Sequence, residues 1–285
     1  MARRRAATAA LLLATALLLA AAASAAAREL LDSPQSPRAR RAAARRRRGS
    51  ANSVQDVPKS IRLLALGDSI TMGSVPSANQ NHPYTIELER RLREKLGTGK
   101  VTVTNAGVGG AGIFAVGFQN PTTLGPYAQQ LLAKAKYDWI VGLIGINDLL
   151  RMGRSADDVF KGIMEIYKPA LEAGTNVLAI APLAAPGFVS RSDSKEGERL
   201  KLHALLAKAS SDWNAAHPTG PRFAVYDLGI KGPMNFWDMG EADRRWWLDD
   251  GLHLTAQAYD RMGNLIADNL IPQLRGRRKS HGTRQ

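Results

Sequence analysis

The chain has 285 residues, no cysteine and a formal net charge of +14. The missing cysteine excludes a disulfide framework, a thiolate nucleophile and a Cys-ligated metal. Residues 1–50 carry +9 and residues 275–285 carry +5, so residues 51–274 sum to zero: the basicity belongs to the ends and not to the body.

Residues 1–27 open with Arg3-Arg4-Arg5, continue as an Ala/Leu run to Ala23, and end in small residues around Ala23-Ser24-Ala25. That order of charged, apolar and small segments predicts a secretory signal peptide, cleaved near residues 25–27, and a secreted mature protein. An Arg-rich organelle transit peptide is the alternative. A retained anchor helix is disfavoured because Ala contributes little to membrane insertion. Residues 28–56 are Arg, Ala, Ser and Pro with almost nothing to bury, and a disordered linker is expected there. Within it, Arg45-Arg46-Arg47-Arg48 reads as solvated chain, with binding to nucleic acid or an anionic surface, or a pro-segment cleavage point, as competing readings. Residues 275–285 read as a basic disordered tail. The segment between, 57–274, is long enough for one domain with a substantial core.

The body then alternates two kinds of pattern. Ile61 to Leu66 is a mostly apolar run, read as a buried parallel strand, and it stops at Gly67-Asp68-Ser69. Tyr84, Leu88, Leu92 and Leu96 fall on one helical face, with Glu87–Arg91 and Glu89–Arg93 pairs on its outside. Val101 to Thr104 is a second strand, leading into the glycine-rich Asn105-Ala106-Gly107-Val108-Gly109-Gly110. A helix over Tyr127–Ala135 precedes a third strand, Trp139 to Ile146, which ends at Asn147-Asp148. Ser155 with Asp158 starts a helix whose stripe is Val159, Ile163, Ile166 and Ala170. Asn176 to Leu183 is the fourth strand; Leu202, Leu206, Ala209 and Trp213 mark the next helix. Phe223 to Leu228 is the fifth strand. A Trp-rich loop then reaches Asp250-Gly251-Leu252-His253, and Thr255 caps a last helix carrying Tyr259, Met262, Ile266 and Leu270. Strand–helix alternation predicts an α/β fold with a parallel, doubly wound sheet. The body shows no internal repeat and no membrane span.

In such a sheet the carboxyl ends of the strands share one edge, where ligands bind. Ser69 follows the first strand, the glycine loop the second, Asn147 the third, and Asp250 with His253 lies beyond the last. A hydroxyl, an exposed backbone amide, a neutral amide donor and a carboxylate–imidazole pair are the parts of acyl transfer. None is specific alone; Gly-Asp-Ser by itself is ordinary turn chemistry. Their joint placement is specific.

Gly67-Asp68-Ser69-Ile70-Thr71, Asn105 to Gly110, Gly145-Ile146-Asn147-Asp148 and Asp250-Gly251-Leu252-His253 resemble the four blocks of the SGNH (GDSL-type) hydrolases, in that family's order. The resemblance implies a flavodoxin-like three-layer α/β/α sandwich around a five-stranded parallel sheet. It assigns Ser69 as nucleophile, Asp250 and His253 as the rest of a triad, and Ser69, Gly110 and Asn147 as oxyanion donors. Ile70 stands where the family's common name has Leu, and among the loop glycines only the spacing from Asn105 selects Gly110.

The residues' own chemistry agrees. Serine needs a base, and His253 is the best placed of five histidines: His82 and His217 precede prolines, His203 sits in a helix and His281 in the tail. Asp250 is positioned to fold back on the His253 ring; Asp249 reads as solvated or capping. Asp68 and Asp148 read as loop-orienting acceptors of backbone N–H. Trp237, Trp246 and Trp247 read either as a substrate wall or as packing behind His253. The expectation is a serine esterase that forms an acyl-enzyme, needs no metal or cofactor, and takes small-acyl or carbohydrate esters. Lipases, lysophospholipases and acyltransferases share these blocks. A non-enzymatic reading is a binding module that presents basic tails to an anionic polymer or surface. No G-x-x-x-x-G-K-[ST] occurs, so phosphate-loop nucleotide chemistry is excluded, and specific nucleic-acid binding is not expected.

Overall fold

Alternate residues of the first strand, β1 (Ile61–Gly67), face opposite ways: Ile61, Leu63 and Ala65 enter one apolar cluster, Leu64 and Leu66 another. The same split runs through β4 (Val101–Gly107), β5 (Trp139–Leu143), β6 (Asn176–Ile180) and β7 (Phe223–Tyr226). A sheet buried on both faces needs helices on both, and the chain supplies them. This computed structural model describes residues 60–97, 99–118 and 122–275. The expected signal peptide, Arg-rich linker and all but the first residue of the expected basic tail lie outside the described residues.

The strand order is β4-β1-β5-β6-β7, all parallel. The winding reverses at β1, which has β4 on one side and β5 on the other. That reversal opens the crevice at the carboxyl ends of β1 and β5. On one face lie α2 (Tyr84–Leu96) and α8 (Ala256–Arg275), whose apolar stripes meet Leu63, Val141 and Leu178. The two helices cross closely at Gly263, where a side-chain carbon would strike the Tyr84 carbonyl. On the other face lie α3 (Leu124–Lys134), α5 (Ala156–Glu172) and α6 (Ser194–Ala216), over Leu64, Ile140 and Val177. Two short helices follow strands or loops near the crevice: α1 (Ser69–Met72) after β1 and α4 (Ile146–Leu150) after β5. A third, α7 (Glu241–Trp247), lies before the Asp250 loop. A small antiparallel pair, β2 (Ser74–Val75) and β3 (Gln80–Asn81), projects after α1. The fold is the three-layer α/β/α sandwich with a five-stranded parallel sheet.

Caps fix several helix starts. Ser155 Oγ accepts from Asp158 N–H at 3.2 Å, and Thr255 Oγ1 accepts from Ala258 N–H at 3.2 Å. Several boundaries differ from the sequence reading. The third strand stops at Leu143, because Gly145 turns the chain at φ +118° and Ile146 and Asn147 begin α4. The second strand runs on to Gly107, paired residue for residue with β1. The fourth stops at Ile180 and the fifth at Tyr226. The helix expected at Tyr127 starts at Leu124, and α6 starts at Ser194. Glu89 pairs with Arg93 at 2.8 Å, but Glu87 pairs with Arg90 at 2.6 Å, while Arg91 reaches across to Asp268 at 2.8 Å.

Candidate active site

Ser69 opens α1 because Asp68 caps it: Asp68 Oδ1 accepts from Ile70 N–H at 2.9 Å. Gly67 leaves no room for a side chain, which would strike Thr71 and the Leu143 carbonyl. The turn is therefore tight against the end of β5, and Ser69 stands at the crevice. His253 Nε2 lies 2.9 Å from Ser69 Oγ, and His253 Nδ1 lies 2.7 Å from Asp250 Oδ2. The network assigns the tautomer: Nδ1–H donates to Asp250, and Nε2 accepts from Ser69. The three residues thus form a continuous relay across 184 positions of sequence.

Asp250 is held by more than His253. Its Oδ1 accepts the backbone N–H groups of Leu252 at 3.0 Å and His253 at 2.8 Å. Burial disfavours the carboxylate, but the His253 ring and these two amides outweigh it and hold the pKa below the ordinary range. The loop is fixed on its outer side by a glycine pair. Gly187 N–H donates to Gly251 O at 3.1 Å, and the backbones approach so closely that a carbon on Gly187 would lie 2.7 Å from Asp250 O. Asp249, next to the triad acid, accepts Ser77 N–H at 2.9 Å and the Ser77 hydroxyl. It ties the loop to the β2–β3 hairpin.

The glycine loop lies against α1. Asn105 Nδ2 donates to Thr71 O at 2.7 Å and Thr85 Oγ1 at 3.1 Å, and Asn105 Oδ1 accepts Gly107 N–H at 2.9 Å. Ala111 N–H closes a turn onto Val108 O at 3.0 Å, with Gly110 at φ +76°, the third position of a type II turn that calls for glycine. Phe118 N–H donates to Gly109 O at 2.8 Å, so the other end of that peptide, Gly110 N–H, points away from the Phe118 backbone N–H. Asn147 Nδ2 donates one hydrogen to Ala111 O at 3.0 Å. Among the described residues, its second hydrogen, the Ser69 N–H and the Gly110 N–H have no acceptor. Asp148 is fully buried and its carboxylate receives Ile113, Phe114 and Ala115 N–H at 2.9, 2.7 and 3.1 Å, which shapes the same loop.

The remaining candidates separate. Trp247 is buried in the core, and Trp237 donates to Glu196 Oε1 at 2.9 Å, so both are packing residues; only Trp246 is exposed. His82 pairs with Asp260 at 2.8 Å, and His217 stacks on Trp213 at 3.9 Å, so each ring is engaged by another partner. The described residues contain no cluster of metal-ligating side chains. One residue escaped the sequence reading. Arg151 Nη2 donates to Gly110 O at 2.9 Å and Val116 O at 2.8 Å, bracing the glycine turn. Its only sequence signal is its place four residues after Asn147, whose carbonyl accepts Arg151 N–H at 2.9 Å.

A serine hydrogen-bonded to an imidazole, itself held by a carboxylate at the switch point of a doubly wound sheet, is a site of the serine-hydrolase class. Residues 65–261 match the GDSL-like lipase/acylhydrolase family, and the chain belongs to it: it is an ester hydrolase of the SGNH type. No curated protein matches the chain. Several solved structures share the fold. An aryl esterase of M. smegmatis is 19% identical with a TM-score of 0.54, covering 74% of this chain and 98% of that one. A carbohydrate acetylesterase from Sinorhizobium meliloti is 20% identical with a TM-score of 0.54, over 75% and 100%. A lipolytic G-D-S-L family protein from Veillonella parvula is 18% identical with a TM-score of 0.50, over 75% and 100%.

Proposed function

We propose that the protein hydrolyses small-acyl or carbohydrate esters through an acyl-enzyme on Ser69. The relay Ser69–His253–Asp250, closed at 2.9 and 2.7 Å, carries this reading. As Ser69 Oγ bonds to the ester carbonyl carbon, His253 Nε2 takes its proton. The carbonyl electron pair moves onto oxygen, where Ser69 N–H, Gly110 N–H and the open Asn147 Nδ2 hydrogen receive it. The charge collapses back, the alcohol leaves with the proton from His253, and an acyl group stays on Ser69. Water then repeats the sequence, releasing the acid and restoring the hydroxyl. Asp250, kept ionised, stabilises the imidazolium formed in both halves.

That a carbohydrate acetylesterase shares the fold supports a short acyl group. The test is Ser69→Ala. It is expected to lower kcat on p-nitrophenyl acetate by about 10³-fold or more and to abolish labelling by a fluorophosphonate probe. Undiminished turnover by this variant overturns the assignment. A rate that rises with p-nitrophenyl ester chain length past octanoate removes the short-acyl part alone.

A further inference from the structure

The turn after α4, joined to the glycine loop through Gly110 O, carries a feature that ester hydrolysis alone does not need. The turn after α4 is built directly on Asn147 and Asp148. Asn147 O accepts Arg151 and Met152 N–H at 2.9 and 3.1 Å, and Asp148 O accepts Arg154 N–H at 2.9 Å. Both arginines are exposed, and each guanidinium lies over a phenyl ring of the facing loop. The Arg151 carbon is 4.6 Å from the centre of the Phe118 ring, and the Arg154 carbon 4.6 Å from that of Phe114. Phe118 is 76% exposed, and Val116 and Met152 beside it are also exposed. Among the described residues no carboxylate pairs with either arginine; other exposed arginines also lack an acidic partner, and what sets these two apart is that they share one turn and face two rings of one loop. The nearest acid in sequence, Asp148, is buried with its oxygens turned to three backbone N–H groups.

Stacking holds a guanidinium in place without consuming its in-plane N–H donors. Arg151 spends one nitrogen on Gly110 O and Val116 O, and Arg154 has no side-chain hydrogen bond among the described residues. Two oriented, unpaired forks with apolar rings beneath them suit a planar or apolar body bearing a carboxylate, sulfate or phosphate. Arg151 donates to the carbonyl of Gly110, the residue whose N–H is open for the oxyanion, and this link is what ties the two arginines to the reaction site.

We propose that Arg151 and Arg154, stacked on Phe118 and Phe114, form an anion subsite, and that the preferred substrates are esters carrying a negative charge near the scissile bond. The inference rests on the Ser69 esterase reading. The anion can come from the alcohol or from the acyl side, and two matched pairs separate these sources. Phenyl acetate against 4-carboxyphenyl acetate places it on the alcohol; p-nitrophenyl butyrate against p-nitrophenyl hydrogen succinate places it on the acid. Using the full chain, kcat/KM of the anionic member is expected to exceed that of its neutral partner about tenfold in one pair. Arg154→Gln should lower that ratio about tenfold, chiefly through KM. Lys208→Gln, which removes an exposed cation elsewhere on α6, should not change it. Titration with 4-acetamidobenzoate against acetanilide gives the same comparison without turnover, with binding of the charged amide weakened about tenfold by Arg154→Gln. A preference that Arg154→Gln leaves unmoved, or none in either pair and in the titration, overturns the proposal. Failure of the esterase reading shows separately, as no turnover of the neutral members.

Discussion

Asp68 lies one residue before the nucleophile and is fully buried; its Oδ2 has no hydrogen-bond partner among the described residues. Burial is the main cause that pushes its carboxyl from 3.8 up to about 7; the Ile70 N–H bond opposes this and the nearby Asp148 charge adds to it. Between those two values the folded chain holds a proton that the unfolded chain has released. Stability therefore falls as pH rises through that window, by up to about 1.4 kcal/mol per pH unit, and levels off above about 7. Asp68→Asn keeps an acceptor for Ile70 N–H and carries no charge. Urea unfolding between pH 4 and 8 should show the wild-type slope and, in the variant, its loss. Parallel slopes in both proteins would mean that Asp68 ionises at the ordinary carboxylate value. At this scale the sequence was informative where a residue sits inside a block: Ser69, Asp250 and His253 each follow a recognisable turn. Arg151 and Arg154 were not legible, since a cation in a short turn has neither periodicity nor motif until the facing phenyl rings are in place.

Among the elements, α6 does more than cover the sheet. Its Arg199 and Glu196 form a buried pair at 2.6 Å, each 3% exposed. Arg199 Nη1 also donates to Pro182 O at 3.0 Å, and Glu196 accepts Trp237 Nε1, so one ion pair clasps the loops after β6 and β7. Those loops include Gly187, which supports the triad loop at Gly251. Arg199→Met strands a buried carboxylate and should cost about 3–5 kcal/mol in thermal or denaturant unfolding. Arg199→Met combined with Glu196→Leu should recover most of that loss. If the double variant is no better than the single one, packing and not charge explains the loss. Elements were legible wherever burial repeats with a period: all five strands and the long helices follow from apolar spacing. Boundaries were less so. Ile144 and Ile146 are as buried as the strand before them, so hydrophobicity reports the core but not the Gly145 turn that ends β5. The reverse holds for β4, where Asn105, Ala106 and Gly107, read as loop, join the sheet because β1 pairs with them. The β2–β3 hairpin and α7 are too short to show a period.

For the whole molecule, charge separates the catalytic body from its ends. The winding reversal at β1 brings Ser69, the glycine turn and Asn147 to one edge within residues whose charges sum to zero, while residues 1–50 and 275–285 carry +9 and +5. Chemistry at Ser69 therefore should not need the ends. A chain trimmed to residues 57–274 is expected to keep kcat on p-nitrophenyl acetate. The ends are expected to act in adsorption to anionic surfaces, polysaccharide acids among them. That attraction is screened over about 8 Å at physiological salt, so it should weaken steeply as salt rises. Retention of full-length and trimmed protein on an anionic matrix would be compared at 20 mM and 500 mM salt, a range over which the Debye length falls from roughly 20 Å to about 4 Å. The full chain should be retained only at low salt and the trimmed chain at neither. Equal retention of the two forms would make the basic ends inert. Loss of activity on the soluble ester after trimming would instead place part of the ends inside the catalytic fold.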